Sequence, residues 1–121
     1  MKRNLELIRH ILLTMESSSK TRICIEDFET TEYDPKTISY HINLLLDCDY
    51  LDATVVPMCG CPYDQFIVHR LTSQGHDYLD SVRDDNIWEE TKKQIGKVSS
   101  SVSLDIIKSV SGKIILGLLG I

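Results

Sequence analysis

A mostly helical α+β fold is what three features of this 121-residue sequence predict. Residues 2–15 place Leu5, Ile8, Leu12 and Met15 at helical spacing, with Ile11 beside them. Residues 34–48 open on Asp-Pro and carry a second apolar stripe. Two strand-like runs, residues 51–57 and 65–71, flank the turn MCGCPYD. Helical and extended periodicities of this kind are the primary signals of secondary structure.

Taken in order, the first helix is broken by SSSK (17–20), residues that favour caps and turns. Ile23-Cys24-Ile25 reads as a short strand, and the polar run 26–32 as a short helix or turn anchored by Phe28. Asp34 is an N-cap and Pro35 fits the first helical position, where its missing N–H costs nothing. The helix they open buries Ile38, Ile42, Leu45 and Leu46 and presents Lys36, Tyr40, Asn43 and Asp47. After the hairpin, Thr72 caps a helix packing Leu79 and Val82, with Gly75 as a close-approach point. Asn86-x-x-Glu89 has the form of a capping box for the next helix, along which Ile87, Trp88, Thr91 and Ile95 lie, and Gly96 ends it. Residues 98–103 form a Ser-rich joint before a last helix. Helix, strand, two helices, hairpin and further helices is the order of a winged helix-turn-helix. The expected division is residues 1–83 for that domain and 84–121 for a helical extension.

Composition narrows the function. Hydrophobic content of 42% and charged content of 26% are those of an ordinary globular chain. Glu6, Arg9 and His10 interrupt the first apolar run, so no signal-peptide core is read there and a cytoplasmic location is expected. Cys24, Cys48, Cys59 and Cys61 are then expected as free thiols. The net charge is −5. Residues 1–72 hold seven Lys/Arg against eleven Asp/Glu, so the acidity concentrates in the half expected to meet DNA. No nucleophile elbow, phosphate loop or zinc-helix motif is present, and no enzymatic activity or cofactor is expected.

TISYHINLLLDCDYL (37–51) resembles the recognition helix of winged-helix repressors of the PadR-like and arsenic-sensor groups. RLTSQGHDYL (70–79) resembles the segment by which many of them leave the wing. Over nearly its full length the chain is more specifically similar to a small bacterial and prophage family of unknown function, through MKRNLELIRHILL (1–13), YHINLL (40–45) and LTSQGHDYLDSVRDDNIW (71–88). That resemblance implies a winged-helix fold and a phage or mobile-element setting. Two departures stand out. Asp49 occupies the place of the usual glycine after the recognition helix, and the wing MCGCPYD lacks the usual Arg or Lys.

The function expected is DNA binding in transcriptional control. Lys36, Thr37, Ser39, Tyr40 and Asn43 sit where such helices read base edges and phosphates. Arg3, Arg9, Lys20, Arg22 and Arg70 are candidate backbone contacts. Asp47, Asp49 and Asp52 oppose them. The alternative is the same scaffold as a protein-binding module acting on a host protein. Cys59-Gly-Cys61 is too tight for the usual zinc hook and is read as loop rather than as a metal or redox site. In residues 104–121, Leu104, Ile107, Val110, Ile114 and Leu118 recur at helical spacing. Asp105, Lys108 and Lys113 argue against a membrane span. This stripe, with Trp88, is expected either to pair two chains into a homodimer or to pack back on its own domain.

Overall fold

In the computed structural model, which describes residues 1–98 and 102–121, the chain forms two compact units, Met1–His76 and Asp77–Ile121. The division falls inside a helix, ahead of the 83/84 boundary. Residues 99–101 of the expected Ser-rich joint lie outside the described residues.

In the first unit, α1 (Leu5–Ser17) starts at Asn4, whose side chain accepts the Leu7 N–H at 3.1 Å. It buries Leu7, Ile8, Ile11, Leu12 and Met15, whereas Leu5, in the first turn, is only half-buried. The expected strand at Ile23 shrinks to one antiparallel bridge, Ile23 to Val68, closed by a 2.7 Å hydrogen bond. Asp27 is the reason. Its carboxylate accepts the Cys24 N–H at 2.8 Å and winds Ile25–Phe28 into one turn of 3-10 helix. Both end residues of that turn are buried.

α2 (Pro35–Asp47) begins as its sequence dictates: Asp34 Oδ1 accepts the Thr37 N–H at 2.8 Å, with Pro35 in the first turn. Ile38, Ile42 and Leu45 are fully buried, each contributing about 1.5–3 kcal/mol of transfer free energy, while Leu46 is only half-buried. The helix ends in a Schellman turn. Tyr50 N–H donates to the Leu45 carbonyl at 2.9 Å and Asp49 N–H to that of Leu46 at 3.0 Å. Asp49 takes the left-handed position at φ 60°, so aspartate does the work of the usual glycine.

The hairpin joins β1 (Leu51–Val56) to β2 (Gln65–Leu71), antiparallel from Leu51↔Leu71 to Val56↔Gln65 with a bulge at Asp52/Ala53. Phe66 and Val68 point into the core. The next helix, α3 (Ser73–Val82), starts against the end of α2, where a Cβ on Gly75 would lie 2.2 Å from the Tyr50 carbonyl oxygen. Only glycine fits there.

The second unit holds α4 (Asp85–Gly96) and α5 (Leu104–Leu118), which pack on each other. The cap of α4 is Asp84, not Asn86: its Oδ1 accepts both Asn86 N–H at 2.9 Å and Ile87 N–H at 3.0 Å. The carboxylate two residues earlier satisfies two first-turn donors at once, so the helix starts there. Between the helices, Thr91 Oγ1 and Ser111 Oγ lie 3.0 Å apart, both buried. Trp88, Leu104 and Ile107, expected on a dimer face, are buried within the single chain. Among the described residues, no helix is long and apolar enough to cross a membrane.

Candidate nucleic-acid interface

Three segments of the first unit converge on the exposed side of α2. Met1, Lys36, Ser39, Tyr40, Asn43, Pro62, Tyr63 and Asp64 line a surface recess of about 260 Å³. Its floor is α2 and one wall is the end of the hairpin loop. The N-terminal arm supplies Met1, and the arm is held by a buried histidine.

That histidine is His41. The Asn4 N–H donates to its Nε2 at 2.8 Å, and its Nδ1 lies 2.8 Å from the Thr37 carbonyl. The two bonds together define a neutral ring, with the proton on Nδ1 donated to Thr37 and Nε2 free to accept. Burial pushes the His41 pKa below its ordinary value, and the nearby Arg3 guanidinium adds to this, although the Thr37 carbonyl pulls the other way. The arm, with Arg3 on it, is therefore docked on α2 through an uncharged imidazole.

Of the expected reading residues, Lys36 and Tyr40 are exposed, with Tyr40 edge-on to the His41 ring at 5.7 Å between centroids. Asn43 is half-buried and donates through Nδ2 to Asp64 Oδ2 at 3.2 Å, leaving its amide oxygen and second N–H for a ligand. Thr37 is half-buried and its backbone carries both the Asp34 cap and the His41 bond. Ser39 borders the recess but is almost wholly covered. It is 2% exposed, and its hydroxyl donates to the Asp64 carbonyl at 2.7 Å. Its hydroxyl ties the hairpin loop to α2 and is not presented to a base edge, unlike the expectation for this position.

The expected backbone contacts do not form one rim. Arg3 lies with the α2 group. Lys20 is bound to Asp27 at 2.5 Å, which raises the lysine pKa and lowers that of the carboxyl. Arg70 is bound to Asp52 at 2.8 Å across the hairpin. Lys20 and Arg70 line a different, 620 Å³ recess with His69 and His76. Arg9 is half-buried and Arg22 exposed, and neither lines the α2 recess. At the hairpin tip Cys59 is exposed, Gly60 takes φ 81°, and Cys61 Sγ accepts from Gln65 Nε2 at 3.5 Å.

Three contributors escaped sequence reasoning: the Asn4–His41 bond, Tyr63 and Asp64. The first joins residues 37 positions apart and has no local signature. Asp64 was visible only as one more carboxylate in an acidic half.

The site can present one cation on the helix, Lys36, a phenol and a carboxamide to a base edge, beside an arm carrying Lys2 and Arg3. Asparagine pairs with adenine, and lysine with guanine or phosphate. The Asp64 carboxylate works against any phosphate approaching the same recess.

Comparison with known sequences places the chain. Residues 2–102 match the model of a family described as "Hypothetical protein (DUF2513)". The chain belongs to that family. A relative of this DUF2513 chain from Haemophilus influenzae, named "Uncharacterized protein", is 39% identical over 115 residues, covering 95% of this chain and 96% of the relative. The family match takes in α2, the hairpin and α4. No solved structure matches the DUF2513 chain.

Proposed function

We propose that the first unit is a winged-helix DNA reader, with α2 as recognition helix and the β1–β2 hairpin as wing, acting in transcriptional control. The order α1, bridge strand at Ile23, 3-10 turn, α2, hairpin supports this reading. The observation that carries it is the convergence of arm, helix and hairpin loop on the recess holding Lys36, Tyr40 and Asn43. DNA-binding helices of this class are commonly flanked by an arm and a loop that grip the backbone while the helix reads the groove. The reading includes pairing of two chains, since two copies of α2 suit two half-sites. A phage or mobile-element setting rests on the family resemblance alone.

The test is selection of duplexes from a random library with the full chain and with the Lys36→Glu/Tyr40→Ala variant. The reading expects an enriched sequence for the first and none for the second. If neither protein enriches any sequence, DNA reading is wrong.

A second reading, a protein-binding module directed at a host protein, is favoured by the Asp64 carboxylate inside the recess and by the exposed Val55 and Met58 on the hairpin. A partner captured from host lysate that survives nuclease treatment would favour it over DNA.

A further inference from the structure

Spacing alone reads Cys59-Gly60-Cys61 as loop, and the structure closes that loop into a defined turn. Cys61 N–H donates to the Met58 carbonyl at 3.3 Å, and Gly60, between the two cysteines, takes φ 81°. A hydrogen bond from the fourth residue to the first, around a left-handed third residue, is the signature of a type II turn. Cys59 and Cys61 are its second and fourth residues. Their Cα atoms therefore lie about 5.5 Å apart, inside the ~4.4–6.8 Å range of a disulfide.

The two thiols also share one surface. Both line a recess of about 610 Å³ at the hairpin tip, and its Pro62, Tyr63 and Asp64 line the α2 recess as well. Both thiols are free, Cys59 exposed and Cys61 half-buried, with Gln65 Nε2 donating to Cys61 Sγ at 3.5 Å. A reagent from solution thus meets Cys59 first, and Cys61 is held two residues away. Cys24 and Cys48, at the start of the 3-10 turn and the end of α2, do not line this recess. A structural zinc takes four ligands, and among the described residues no group of three or more His, Cys, Asp or Glu is placed to hold a metal. Two-electron thiol chemistry is what two cysteines on one turn offer.

We propose that Cys59 and Cys61 form a thiol–disulfide couple, a reversible oxidation site whose reaction partner is a small-molecule disulfide of the glutathione type. The Cys59 thiolate attacks one sulfur of that disulfide, forming a mixed disulfide and expelling one thiolate. The Cys61 thiolate then attacks the Cys59 sulfur, closing the Cys59–Cys61 bond and expelling the second. The chain gives up two electrons and two protons, and the small molecule becomes two thiols. A bridge on an exposed turn is of the labile kind, so a dithiol reductant reopens it. The couple goes beyond the DNA reading and does not depend on it.

The test is equilibration of the full chain in graded mixtures of oxidised and reduced glutathione, quenched by alkylation and read by intact and peptide mass. The wild type is expected to lose two alkylatable thiols, mapped to a Cys59–Cys61 bridge with no glutathione retained, and to regain both in dithiothreitol. Cys61→Ser is expected to keep glutathione on Cys59, because the thiol that would expel it is gone. Gly60→Ala meets no atom within 4 Å but strains the left-handed turn, so its bridge should need a several-fold more oxidising mixture. A bridge to Cys24, Cys48 or a second chain overturns the inference, as do glutathione adducts that persist on the wild type. It also falls if Cys61→Ser retains no glutathione, or if Gly60→Ala bridges at the same mixture as wild type. Duplex selection carried out in reductant is untouched by these outcomes, so the DNA reading fails or survives separately.

Discussion

The Asn4 main-chain N–H donates to Nε2 of His41, 37 residues away, at 2.8 Å. A protonated imidazole has no lone pair there, so the bond that docks the arm exists only with His41 neutral.

A stability dependence follows. The folded His41 pKa lies below the unfolded value of 6.5, so the unfolded chain takes up the proton first as pH falls. The stabilisation is fully present above that value and is lost as pH falls through the depressed pKa. Urea midpoints measured from about pH 8 down to about pH 5 should decline for wild type. His41→Gln, which keeps an acceptor but cannot titrate, should be less stable at the upper end and decline less. Parallel declines for the two proteins would show that His41 is not the titrating group.

Gly75 and Gly112 should respond in opposite directions to alanine. At Gly75 the new Cβ meets the backbone of Tyr50, which cannot swing aside as a side chain can. Gly75→Ala should cost about 1–3 kcal/mol or more. Gly112 lies inside α5 with nothing within 4 Å of a Cβ. Gly112→Ala should stabilise by about 0.5–1 kcal/mol through helix propensity. Chemical denaturation of both variants checks the pair.

The buried hydroxyls of the α4–α5 seam should be unequal. Thr91 Oγ1 donates to the Ile87 carbonyl at 2.7 Å, so in the Thr91–Ser111 pair the serine is the donor. Thr91→Val strands that donor and should cost about 1–3 kcal/mol. Ser111→Ala leaves Thr91 with its carbonyl and should cost less. A double-variant cycle should show coupling of at least about 0.5 kcal/mol, and strict additivity would deny the contact.

Asp64→Asn removes a negative charge from the α2 recess while keeping an acceptor for Asn43. On the DNA reading, affinity for the selected duplex should rise several-fold at low salt, the gain shrinking as salt increases. A fall in affinity with the fold intact would instead place the Asp64 carboxylate in favourable contact with the duplex, as an acceptor for a cytosine amino group.

What was legible in the sequence was local chemistry. Asp34-Pro35 fixed the start of α2, and Asp49 in the glycine place still gave the left-handed turn. Gly75 announced a close approach, and two runs with a Gly/Pro turn gave the hairpin. What was not legible required partners distant in sequence. Ser39 has the type and position of a reading residue, yet the Asp64 carbonyl from 25 residues on takes its hydroxyl inside. Lys20 and Arg70 count as cations on paper, but Asp27 and Asp52 hold them. The stripe of α5 was visible as apolar, but spacing alone does not say which helix covers it. α4 covers the first half, which is why Leu104 and Ile107 are unavailable to a second chain.

The most direct test of the central claim is the affinity of the full chain for its selected duplex as a function of salt. A reader that engages phosphates through the arm and Lys36 should give a negative log–log slope, roughly −3 to −5, and discriminate the selected sequence from a scrambled one. A flat salt response with equal affinity for both duplexes would contradict the account.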